Sequence, residues 1–288
     1  PGGQANAPSF NPAHRGKVKT MAQTIQNNNY GIGRVGGAGV GSRQGQGIYA
    51  ESSTAVYDLG EKLELSDGRI FRYTKAGAAI NAGNLVAQDF SAGNIAEFDN
   101  ATISPVAAGS SVITITASAL SGVDEANELA GSFINTVNDD GEGYAYKIKS
   151  HGVESSNAVE FTLFDPLVVA VASSGTDMQI TAPPYRQVVT CAATVGAATD
   201  TMPVGVTPRA FTSGYYGWIQ TRGICTCLFD GGTTDTPHVG VALRAADEDA
   251  GAVEPRIASS PVALPTVGIV AVGAAADTQH VSMNLMLE

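Results

Sequence analysis

The chain has 288 residues, 43% of them hydrophobic and 15% charged, with 34 glycines and 13 prolines. That is enough for one large β domain or two modest ones with a real core, and the dense turn formers fit many short strands. A net charge of -11 with scattered basic residues argues against a nucleic-acid partner, and the apolar runs near Pro166–Ala172 and Val267–Ala276 are too short to span a bilayer.

The charge is unevenly placed. Residues 1–50 hold Arg15, Lys17, Lys19, Arg34 and Arg43 and no acidic residue, giving +5. Of the 16 basic and 27 acidic residues in the chain, 11 and 27 therefore fall in residues 51–288, giving -16. A Gly/Asn/Gln-rich stretch cannot build a core of its own. Residues 1–50 are thus predicted to form an extended basic arm that lies on an acidic partner surface. The contacts expected are Arg15, Lys17, Lys19, Arg34 and Arg43 for charge, with Tyr30, Ile32, Ile48 and Tyr49 for burial.

Gly31, Gly33 and Gly36 match G-x-G-x-x-G, but no buried strand precedes them and no helix follows, so a flexible linker is expected and no nucleotide. No secretory signal is seen at the start, and with this cysteine usage synthesis in a reducing cytoplasm is expected.

The body is predicted to begin with a strand at Gly68–Lys75, followed by a turn at Asn81–Asn84 and a strand at Leu85–Gln88. Residues 104–164 then alternate clearly. Ile113 and Ile115, then Tyr144, Tyr146 and Ile148, then Val159, Phe161 and Leu163 share one face, with Thr, Lys and Glu on the other. This interval is predicted to be an inserted antiparallel subdomain with one solvated face, set into a main domain of residues 51–103 and 165–288. The turn Asn138–Gly143 contains Asp139, Asp140 and Glu142 but lacks the spacing of a calcium loop. A short helical turn is expected near Val123–Ala130.

Leu167–Ala172, Arg186–Val195 and Val267–Val272 read as strands buried on both faces. Between them lies Pro203–Phe229, with the sole tryptophan, two of the three cysteines and a turn at Thr212–Gly214. Period 2 puts Ile219, Thr221, Cys225, Cys227 and Phe229 on one face and Tyr216, Trp218, Gln220 and Ile224 on the other. Trp218 is expected in a packed layer, and Cys191, Cys225 and Cys227 as reduced, metal-free residues. Asp247, Glu248, Asp249 and Glu254 read as a solvated acidic turn, and Val281, Met283, Leu285 and Leu287 as one face of a last strand. The fold class expected is all-β: an antiparallel barrel or sandwich body, a small inserted β subdomain and an extended N-terminal arm.

No H-E-x-x-H, G-x-S-x-G, Walker loop or C-x-x-C is present, and His14, His151, His238 and His280 are scattered. No catalytic, cofactor-binding or metal-binding residue is assigned, and an enzyme is not expected.

Four segments carry a resemblance: GRIFRYTKAG at Gly68–Gly77, GEGYAYKIKSHG at Gly141–Gly152, LFDPL ending at Leu167, and PVGVTPRAFTSGYYGWIQTRG at Pro203–Gly223. Together they resemble capsid decoration, or cement, proteins of tailed bacteriophages, from about residue 65 to the end of the sequence and leaving the arm uncovered. The resemblance implies a β-rich protein on the outer surface of an icosahedral head, bound to the major capsid protein and often trimeric. The rival reading is a receptor- or glycan-binding head fibre or tail adhesin, with an exposed aromatic platform that would use Tyr215 and Tyr216.

Overall fold

A computed structural model describes residues 45–89, 102–117, 120, 123, 126–172, 177–193, 202–231, 237–256, 265–273 and 276–288. It also gives the backbone of Arg34–Val35 and Ile95–Phe98. The protein is all-β, with no α-helix among the described residues.

Strand β14 (Tyr216–Phe229) organises the larger sheet, and its burial changes half-way along. From Gly217 to Thr221 every residue is buried; from Arg222 to Thr226 exposed and half-buried positions alternate, and Cys227 and Phe229 are buried again. The first half lies inside a sheet between β3 (Ile70–Lys75) and β13 (Pro203–Val206). Phe71, Tyr73 and Trp218 pack into one core cluster, while Ile219 joins Val86, Val188, Val204 and Phe211 in another.

The second half belongs to a closed barrel. Strand β14 pairs antiparallel with β18 (His280–Met286), β18 with β17 (Gly268–Val272), β17 with β15 (Ala242–Ala245), and β15 with β16 (Ala252–Pro255). A parallel pairing of β16 with Leu228 and Phe229 closes the ring of five. Closure leaves these strands no open edge, and their inward residues, among them Cys227, Phe229, Leu243, Val253, Val270, Met283 and Leu285, fill the interior.

Gly223 stands at the change between the two halves. Its φ is +91°, and a Cβ there would lie 3.0 Å from Arg69 Cγ and 3.2 Å from Arg69 Cα. The β3 register slips just before it, between Gln220 and Arg222. A bulge beside a glycine with positive φ lets one strand bend from an open sheet into a barrel.

Beside this lie β4 (Leu85–Gln88), which pairs with β13 and with β12 (Val188–Thr190). Strand β2 (Lys62–Glu64) pairs with β3, and the short β1 (Arg34–Val35) pairs with β2 at the sheet edge.

The second sheet has seven strands in the order β5-β11-β8-β9-β10-β7-β6. They are β5 (Ile95–Phe98), β6 (Thr102–Ile103), β7 (Val112–Thr116), β8 (Phe133–Thr136), β9 (Ala145–His151), β10 (Ala158–Leu163) and β11 (Met178–Thr181). One face is solvated and the other is backed by loop residues Leu120, Val123, Leu129, Leu167 and Val171. The sheet thus extends past the expected 104–164 interval at both ends. Strands β5, β6 and β11 have four residues or fewer inside either flank, too short for their alternation to stand out.

Three local expectations are corrected. Leu167–Ala172 is not a strand buried on both faces: Val168 is 62% exposed and only Val171 bridges, to Val106. Strand β17 buries one face only, with Val272 turned out at the barrel exterior. Asn127–Gly131 forms hydrogen-bonded turns in place of a helical one, with Asn127 and Gly131 at positive φ. Part of the expected Arg186–Val195 strand lies outside the described residues; within them, β12 spans only Val188–Thr190.

Candidate functional site

Gln46 ties the segment ahead of β2 to the central strand. Its side-chain amide donates to the carbonyls of Ala50 and Tyr216, both at 2.8 Å, and its Oε1 accepts from Tyr73 Oη at 2.7 Å. Its own carbonyl accepts the Trp218 indole N–H at 2.9 Å. Every polar group of this side chain is therefore bonded inside an aromatic cluster, where Trp218 meets Tyr73 and Tyr57 with ring centroids 5.1 Å apart. Ile48 is buried there too, against Leu63, Phe71, Tyr73 and Trp218.

This corrects one expected partner contact. Ile48 serves the core of its own chain, because the segment turns back under the aromatic cluster instead of continuing outward. Tyr49 is 56% exposed. Arg34 belongs to β1, opposite Glu64. Arg15, Lys17, Lys19, Tyr30, Ile32 and Arg43 lie outside the described residues. The tyrosines considered for an aromatic platform do not form one: Tyr216 stacks on Tyr73 at 6.3 Å, Lys75 lies over its ring, and Tyr215 is half-buried.

A cleft of about 340 Å³ opens on the outer side of the β14 bend. Strand β14 supplies Gln220, Ile224, Cys225 and Thr226 to it, β18 supplies His280 and Ser282, and the segment after β13 supplies Thr207 and Pro208. Arg69 and Tyr49 also line it. Gly83 completes the wall, since a Cβ there would lie 2.5 Å from the His280 ring. Arg69 donates through Nε to Asp67 at 2.7 Å. That bond and the backbone N–H of Arg69 outweigh the desolvation that would raise the Asp67 pKa, and hold it below its ordinary value. Gln220, 4% exposed, donates its amide to the carbonyls of Arg222 at 2.9 Å and Ile224 at 3.0 Å, the groups that the bulge takes out of the ladder.

At one end of the barrel, carboxylates gather around Arg244, which is 4% exposed. Arg244 pairs with Asp247 at 3.0 Å and makes a closer ion pair with Glu254. Glu254 is thus not part of a solvated turn; it points from β16 onto the buried guanidinium. Burial first, and then the neighbouring Asp247 and Asp230, push the Glu254 carboxyl up to about 7 against the pull of Arg244. Desolvation also raises Asp230, although backbone N–H groups of Asp249 and Glu248 bond its carboxylate. Two triples, Asp230 with Asp249 and Asp277 and Asp230 with Asp247 and Glu254, bring carboxylate oxygens within 4.8 Å of one another. Such oxygens suit a hard divalent cation, but in the second triple Arg244 already supplies the positive charge. Neither triple was visible in the sequence, since β14, β15, β16 and the Asp277 turn meet only through barrel closure.

Cys191, Cys225 and Cys227 form no disulfide. Burial pushes Cys225 up to about 12 and Cys227 well above its ordinary value, so both rest as neutral thiols near neutral pH.

Comparison with protein-family models, with curated proteins and with solved structures gives no match.

Proposed function

We propose that the chain is a virion structural protein that decorates the outer surface of an icosahedral phage head and bridges major capsid protein subunits. The observation that carries this reading is the charge division along the chain, +5 in residues 1–50 against -16 in residues 51–288. A basic arm on an acidic β body reaches acidic surface beyond its own chain, and an extended arm adds contact area at little cost in mass. Gln46 supports the same reading. A load on the arm passes through three hydrogen bonds into the aromatic core instead of peeling off a loose tail. The resemblance of four body segments to cement proteins agrees with this role.

In this reading the body works as a homo-oligomer, a trimer by preference, and many weak attachments on a symmetric shell add avidity. No catalytic step is assigned to it. Quantified gel bands from purified particles test the proposal. A copy number of the same order as the major capsid protein is expected, with loss of the protein lowering the heat or osmotic resistance of the heads. A copy number typical of a tail component overturns it in favour of a fibre or adhesin.

A further inference from the structure

We propose that the cleft at the β14 bend binds a single carboxylate-bearing sugar, the hexuronic unit of an acidic glycan, by a mechanism that does not rest on the capsid assignment.

The size sets the first limit. About 340 Å³ is at the small end of ligand sites and holds one sugar ring, not a chain. Charge sets the second. Residues 51–288 carry -16, yet no carboxylate lines this cleft, and Arg69 and His280 do. Asp67 takes the Nε edge of Arg69 and fixes the guanidinium plane, and no described residue accepts from its Nη groups. A planar pair of free donors on an oriented guanidinium matches a carboxylate.

Gln220 adds a directional requirement. Because its nitrogen donates to two carbonyls, the amide cannot be flipped, and Oε1 accepts from no described residue. That oxygen is not sealed from solvent, so in the cleft it can exchange a water for a ligand hydroxyl. Tyr49 and Ile224, each 56% exposed, with Pro208, give the apolar surface on which the C–H face of a pyranose rests. A peptide carboxylate fits less well. It brings backbone N–H and C=O groups that need partners, and the carbonyls freed at the bulge are already capped by Gln220.

The test is titration calorimetry with ligand-observed NMR on the full chain, using glucuronate, glucose and N-acetyl-glutamate amide as probes. Saturable glucuronate binding is expected, at least roughly tenfold tighter than glucose because a charge-assisted pair is lost with the neutral sugar. Arg69→Ala should weaken glucuronate roughly tenfold or more on the same ground. Thr226→Trp, at an exposed lining position, should block the cleft with the melting temperature kept. The proposal fails if glucuronate shows no saturable binding, if glucose binds equally, if N-acetyl-glutamate amide binds tighter, or if glucuronate binding survives both substitutions.

Discussion

Trp218 and Gln46 lie 172 positions apart, and the indole N–H of the first donates to the backbone carbonyl of the second at 2.9 Å. The bond joins the central strand to the segment ahead of β2. It also gives the tryptophan a polar partner inside a cluster that leaves it 1% exposed.

Two substitutions separate packing from hydrogen bonding here. Trp218→Ala removes the largest fully buried side chain and should destabilise by about 3 to 5 kcal/mol. Trp218→Phe keeps most of the apolar volume but orphans the Gln46 carbonyl, so a loss of about 1 to 2 kcal/mol is expected. Denaturant unfolding measures both; a Trp218→Phe variant as stable as the parent would mean that the hydrogen bond contributes nothing, and equal losses that the packing adds nothing to it.

Much of this core was legible in the sequence, and the reason is local. Ile113/Ile115, Val159/Phe161/Leu163 and Val281/Met283/Leu285 alternate because one face of each strand is wet, and period 2 records that directly. Barrel closure left no such trace. The parallel contact of Leu228 and Phe229 with Ala252 and Val253 depends on tertiary approach, and nothing in either segment specifies the other. Glu254 looked like a loop carboxylate for the same reason, since its partner Arg244 becomes a neighbour only across the β15–β16 hairpin. Ile48 reads as part of the arm because composition changes gradually there, whereas its side chain packs into the aromatic cluster of the body.

The bend at Gly223 supplies a backbone prediction. Alanine at this position would have to hold φ near +91° with its Cβ 3.0 Å from Arg69 Cγ. A cost of about 1 to 3 kcal/mol is expected from the strain. Gly240, also at positive φ (+86°) but with open space around its Cβ position, should lose less on the same change. Equal melting of the two variants would remove the close approach to Arg69 from the argument.

The Glu254 carboxyl gives a pH prediction. Its ordinary value is 4.5 and burial with Asp247 and Asp230 raises it to about 7 in the folded state, Arg244 opposing. Between those values the folded protein holds the proton more tightly than the unfolded chain, so stability from this group falls as pH rises. Glu254→Gln mimics the protonated form. The melting temperature of the variant minus that of the parent should therefore increase from pH 4.5 to pH 7 and level off above. A gap that stays flat or shrinks over that range would show that the Arg244 ion pair dominates instead.

The last prediction concerns where the arm ends. Its five cations, Arg15, Lys17, Lys19, Arg34 and Arg43, all lie before Gln46, whereas Gln46 and Ile48 belong to the aromatic cluster of the body. Removing residues 1–44 takes away all +5 and the two-residue edge strand β1 but leaves the cluster intact, so the melting temperature should fall only slightly. Removing residues 1–50 also strips the Gln46 hydrogen bonds and the Ile48 side chain. Burial of one such side chain is worth about 1.5 to 3 kcal/mol, and each hydrogen bond about 1 more, so this shorter chain should melt clearly lower. On heads lacking the protein, the 1–44 deletion should fold yet decorate weakly, because the anchoring segment is gone. The full chain should lose only part of its attachment as salt rises, since exposed ion pairs contribute about 0.2 to 1 kcal/mol each and are screened beyond about 8 Å at physiological ionic strength. If the 1–44 deletion occupies heads as fully as the intact chain does, attachment belongs to the body and the basic segment plays no part in it.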